Sequence, residues 1–189
     1  MAKIGLKNIY VAAITAEDEE SVTYDTPRKI SKAMTASVVP SYENATLYGD
    51  DAAQEIVEEL TGIAVTLGVN SLNLEDYAYL MGKTVDANGG VSDNAKDQAP
   101  YVAIGYETPL SNGGVRMTWI YKAKFSTPTE EDTTKQGTPS FQTPTISANS
   151  IPRQHDGEWR YRVDSNETNE AIIENWFSAV QEKPVVPAP

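Results

Sequence analysis

The sequence has no cysteine and only one histidine among its 189 residues. The first absence excludes a disulfide framework, a thiolate metal site and a cysteine nucleophile, so packing alone must stabilise the fold. Long hydrophobic runs are missing too. No stretch approaches the ~20 apolar residues of a spanning helix, and Met1 to Tyr10 shows no basic region followed by an apolar one. The expectation is a protein made and kept in the cytosol unless something larger carries it out, without membrane insertion. Basic residues are scarce, with 15 Lys and Arg against 27 Asp and Glu, a formal net charge of -12. Duplex binding rests on Lys and Arg neutralising phosphates, so this balance predicts repulsion from DNA rather than grip, and it also favours solubility.

What is present is ordinary for a globular chain: 40% hydrophobic and 22% charged residues exclude a disordered or fibrous class. At this length one core is the default, burying roughly 70% of the surface an unfolded chain exposes. Residues 1 to 183 are expected to form one domain, and the Pro-rich residues 184 to 189 a disordered tail.

Short segments rich in Val, Ile, Thr and Tyr alternate with Gly, Asn, Asp and Pro clusters, the pattern of antiparallel sheets. Strands are predicted at Asn8 to Ala16, Lys32 to Pro40, Gln54 to Leu60 and Gly62 to Val69, with Tyr42 to Asp51 as a polar excursion. In the Gly62 segment Ile63, Val65, Leu67 and Val69 face one way at period two and must meet a core. A hairpin is predicted from Tyr101 to Thr108 and Val115 to Phe125 around Asn112, Gly113 and Gly114. Gln142 to Ile151 and Glu158 to Asp164 read as a second strand pair meeting near Asp156 and Gly157. Asn73 caps a short helix whose Leu74, Tyr77, Ala78 and Met81 share a core face. A final helix, about Asn169 to Gln181 with Thr168 as cap, sets Ile172, Ile173, Trp176, Phe177 and Val180 on one stripe. Ser126 to Thr145, with little apolar content and prolines at 128, 139 and 144, reads as an exposed arm.

Catalytic signatures do not emerge. His155 is expected in an exposed turn without an orienting carboxylate and nucleophile, and no phosphate loop, dinucleotide fingerprint or serine elbow occurs. Asp86 to Asp97 could be tried as a calcium loop, but Val91 stands where glycine is required and Asp97 where a bidentate glutamate is, so a polar loop is the reading. Glu58 and Glu59, like Asp50 and Asp51, are neighbours that a strand points to opposite faces, which suits solvated charges better than an acid and base pair. No catalytic, metal or cofactor residue is therefore assigned, and the chain is expected not to be an enzyme. Tyr42, Tyr48, Tyr106 and Tyr121 are expected at exposed positions, where tyrosine favours interfaces and self-association.

Several segments carry a family resemblance: "MAKIGLKNIYVAAIT", "ATLYGDD", "VTLGVNSL", "APYVAIGYE", "WIYKAKFSTPTEEDTTKQGTPSFQTPTISANSIPR", "GEWRYRVD" and "ENWFSAV". In this order, from Met1 to about Gln181, they resemble the major tail tube protein of long, non-contractile-tailed phages (the siphovirus major tail protein family). The resemblance implies a mainly β fold, an antiparallel β-sandwich or half-barrel with a flanking α-helix and a short second helix, completing a shared barrel in the oligomer. It implies six copies per ring, rings stacked into a tube in the virion tail, and duplex DNA passing through without specific binding. Implied partners are further copies of itself, a tape measure protein inside the tube, and tail terminator and distal tail proteins. Six subunits giving about four strands each would close ~24 strands, spaced ~4.8 Å and tilted ~40°, into a barrel of roughly 48 Å, wide enough for duplex DNA. Contacts between subunits and rings are expected at Ala2 and Lys3, at Tyr42, Glu43, Tyr48, Asp50 and Asp51, and at Thr127, Glu130, Glu131 and Asp132. The alternatives are a monomeric β-sandwich binding or adhesion module with a compact aromatic platform, and a hydrolase with two acids in a cleft.

Overall fold

The computed structural model describes residues 1–50, 52–134, 143–166 and 170–184. The chain is mainly β and antiparallel, as expected, with two short helices. Its elements are β1 (Lys7–Glu17), β2 (Val22–Tyr24), β3 (Arg28–Lys29), β4 (Ala33–Gly49), β5 (Ala52–Val69), α1 (Leu74–Met81), β6 (Tyr101–Pro109), β7 (Val115–Phe125), β8 (Thr145–Ser150), β9 (Arg160–Asp164) and α2 (Glu170–Glu174). The strands join in the order β2-β1-β6-β7-β8-β5-β4, with β3 added to β1 and β9 to β7.

Alternation buries the two faces of this sheet against different partners. On one face Ile9, Val11, Ile63, Val65, Leu67, Ile104, Ile120 and Ile146 form the main core, which Tyr77, Leu80 and Met81 of α1 help to close. The predicted Ile63 to Val69 stripe is wholly buried there. On the other face Met117, Trp119 and Tyr121 meet Trp176, with Ile172, Ile173, Phe177 and Val180 packed around them. Phe177 stacks on Tyr10 at 4.2 Å between ring centroids, and Trp119 Nε1 donates to the Trp176 carbonyl at 3.2 Å.

Four local expectations are corrected. The excursion Tyr42 to Asp51 is no loop up to Gly49: β4 runs that far and pairs with a continuous β5, the break between the two predicted strands, at Thr61, being only a bulge. The segment looks polar because neither of its faces is buried by the chain itself, so no burial alternation marks it. β8 and β9 do not pair with each other; they lie end to end along one edge of β7, β9 against Arg116 to Ile120 and β8 against Ala123 to Phe125. Between them Arg153 is drawn into the protein, its guanidinium 3.8 Å from the Tyr121 ring centroid and bonded to Asp156 and Glu182. The last helix is only five residues long, because its chain tightens after Glu174: Trp176 N–H reaches back three residues to Ile173 and Asn175 Nδ2 bonds the Ala171 carbonyl. Its expected cap, Thr168, and Asn169 lie outside the described residues. In α1 the cap Asn73 accepts from Asp76 N–H and Gly82 closes the helix at φ 67, as predicted, but Leu74 is 56% exposed and Leu80 takes the core position.

Candidate assembly surface

Beyond residue 41 the β4–β5 hairpin leaves the body of the protein. β8 covers β5 only from Ile63 to Gly68, so among the described residues the eight pairs from Tyr42 and Leu60 to Gly49 and Ala52 have no third strand beside them. At about 3.4 Å per residue this arm projects roughly 25 Å. A lone two-stranded hairpin is marginal in water, and this one exposes large apolar groups: Tyr48 71%, Ile56 67%, Leu47 61%, Val57 57% and Tyr42 48%.

Register sorts the arm into two faces. Tyr42, Asn44, Thr46 and Tyr48 continue the side on which Val38 and Pro40 meet the body, opposite Leu60, Glu58 and Ile56. The core face therefore runs on beyond the core, with Leu60 at the boundary. The other face carries Glu43 directly opposite Glu59, then Ala45 opposite Val57 and Leu47 opposite Glu55. From 41 to 62 the chain holds Glu43, Asp50, Asp51, Glu55, Glu58 and Glu59 and neither Lys nor Arg. At the turn Asp50 takes a positive φ of 49, a conformation that aspartate tolerates better than most residues.

A second feature lies at the foot of the arm. A concavity of about 180 Å³ is lined by Lys3, Arg116, Arg160 and Arg162 together with Ala36 and Val38 of β4. Arg116 grips Asp164 through Nε and Nη2, both at 2.6 Å, and this bond holds the Asp164 carboxyl below its ordinary range. Burial, with Arg162 beside it, lowers the Arg160 guanidinium pKa, and Tyr106 and then Tyr42 oppose that shift. Among the described residues no carboxylate lies within ion-pair distance of Arg160 or Arg162.

The predicted contact residues occupy three places. Ala2 and Lys3 run beside the β6–β7 turn, where Ala2 accepts from Ser111 N–H and Lys3 bridges Leu110. Lys3 is brought to the arginine-lined concavity, and Tyr42 stands beyond it on the same side of β4 as Val38. Glu43, Tyr48 and Asp50 are exposed on the arm, while Asp51 lies outside the described residues. Thr127, Glu130, Glu131 and Asp132 are exposed in irregular chain elsewhere, Thr127 at a separate hollow lined by Lys83, Asp93 and Asp97. Residues 135–142 of the predicted arm are outside the described set.

Two of the four interface tyrosines are corrected: Tyr106 and Tyr121 are buried, because they lie on faces covered by the main core and by the C-terminal segment. Burial also pushes both phenols up. His155 is mostly covered rather than exposed, with Nε2 3.4 Å from Asp156 and Nδ1 buried without a partner among the described residues. At the Asp86 loop the carboxylate accepts from Asn88 and Gly90 N–H at 2.8 Å each, closing a turn on itself. Sequence reasoning missed Leu47, Ile56 and Val57 as surface residues, and Arg160 and Arg162 altogether.

No family model and no curated protein matches the chain. Among solved structures it is similar to a crystal structure of an Hcp protein, at 10% identity and a TM-score of 0.36, covering 84% of this chain and 99% of that one.

Proposed function

We propose that the chain is a structural subunit that assembles with copies of itself into stacked rings, forming the hollow tube of a phage tail with an acidic bore that conducts DNA during ejection. The arm from 42 to 60 carries this reading: it extends a core-facing stripe of Tyr42, Ile56 and Tyr48 into solvent, uncovered among the described residues and suited to a neighbouring copy. β4 supports it as well. It ends the sheet, so its outer edge offers backbone donors and acceptors along 17 residues, a template that closure into a barrel satisfies. Pro40 fits this role, since proline within a sheet belongs on edge strands.

Six copies per ring, the tape measure, terminator and distal tail partners, and the virion location follow from the resemblance of the quoted segments. Ala2, Lys3, Thr127, Glu130, Glu131 and Asp132 belong to the same proposal as contacts between rings. Of the tyrosines an adhesive platform would use, Tyr42 and Tyr48 remain exposed, both on the arm rather than in a compact patch. Negative-stain microscopy of the purified chain over a range of concentrations tests the proposal. Rings or tubes with a central channel are expected; lone particles at every concentration would refute it.

A further inference from the structure

Two like-charge clusters of opposite sign are left unresolved within one molecule. On the arm, Glu43 and Glu59 are direct cross-strand partners, an arrangement that destabilises an isolated hairpin, and Glu55 follows on the same face. At the body, Arg160 and Arg162 stand two residues apart on β9, so both point to one side of the sheet, opposite Ile120 and Thr118 of β7. β9 pairs only with β7, leaving its other backbone edge open among the described residues. The nearby carboxylate, Asp164, is engaged by Arg116, although it feels Arg162 as well.

The chain cannot pair these clusters by itself. Tyr42 stands on the same side of β4 as Val38, which lines the arginine concavity, and alternation therefore turns Glu43 and Glu59 to the opposite side. Resting on the self-assembly reading, we infer that the Glu43, Glu55 and Glu59 face of one subunit's arm docks against the Arg160 and Arg162 edge strand of a second copy. Each copy then gives an acidic arm and receives one, a head-to-tail contact of the kind that builds rings or stacks. Charge complementarity sets its register, and the apolar groups Leu47 and Val57 between the glutamates supply burial.

Charge reversal on the full-length chain tests the contact, read as the lowest concentration at which assemblies appear by light scattering. Glu43→Arg with Glu59→Arg should raise that concentration about tenfold or more, and Arg160→Glu with Arg162→Glu should do the same. All four changes together should bring it back to within about threefold of the original, the signature of direct coupling. Circular dichroism reports folding of each variant; if the arginine pair proves structural, Arg162→Glu alone, at an exposed position, replaces it. Assembly unaffected by either reversal, or no recovery in the combined variant, overturns the contact while leaving the self-assembly reading standing. An unmodified chain that never assembles refutes that reading itself.

Discussion

At Gly105 the space a side chain would need is already filled: a Cβ there would come within 2.7 Å of the Trp119 ring, which is itself fully buried against Trp176 and Phe177 of the C-terminal segment. Gly105→Ala should therefore cost about 1–3 kcal/mol, seen as a lowered thermal midpoint, because a rigid indole cannot step aside. The Arg116 to Asp164 bond makes a pH prediction. Its carboxyl is held below the ordinary value of 3.8, so its contribution is present above that value and is lost as pH falls through the lowered one. Thermal melts between pH 7 and 2 should show the native chain more stable than Asp164→Asn by about 1–2 kcal/mol near neutrality, with the gap closing in acid. A gap that persists at pH 2 would mean the pair does not act through charge. Individual residues were only partly legible in the sequence. The Ile63 to Val69 stripe and the Asn73 cap could be read because local periodicity and local hydrogen bonding decide them. Tyr106, Tyr121 and His155 could not, since their burial depends on which distant segment covers each face.

Among the elements, β1, β6, β7 and α1 follow closely from pattern: α1 shows helical spacing, while β6 and β7, buried on both faces, are marked by β-rich composition and the Asn112 to Gly114 turn between them. The β4–β5 arm does not. With both faces exposed in the subunit, Tyr42 to Gly49 carries no burial signal, and only Leu47, Tyr48, Ile56 and Val57, too apolar for a loop, together with Pro40 at the edge, mark what it is. The same fact separates folding from assembly at this element. Ile56→Ser should leave the melting temperature of the subunit nearly unchanged, since the side chain is exposed there, yet weaken assembly by about 1.5–3 kcal/mol, roughly ten- to 150-fold in concentration. Parallel melting and light-scattering series check this, and a variant that melts early but assembles normally would place Ile56 in the core instead.

The molecule as a whole joins an extended sheet, with open edges at β2, β4 and β9 among the described residues, to a net charge of -12. Its two hydrophobic clusters are built within one chain, while the apolar stripe and backbone edge of the arm stay uncovered among the described residues. Acid concentrated on that arm limits random edge-to-edge pairing in the free protein, in the way charged edge strands commonly do. In the proposed hollow cylinder the net charge of -12 per subunit leaves an acidic excess even with the arm's glutamates paired, so that a phosphate backbone would slide past rather than bind. Amide hydrogen exchange, compared between dilute subunit and assembled material, tests the central claim most directly. Amides from 42 to 48 and 54 to 60 should exchange rapidly in the subunit and become protected on assembly, while those of β6 and β7 change little. Equal exchange of the arm in both states would contradict the account.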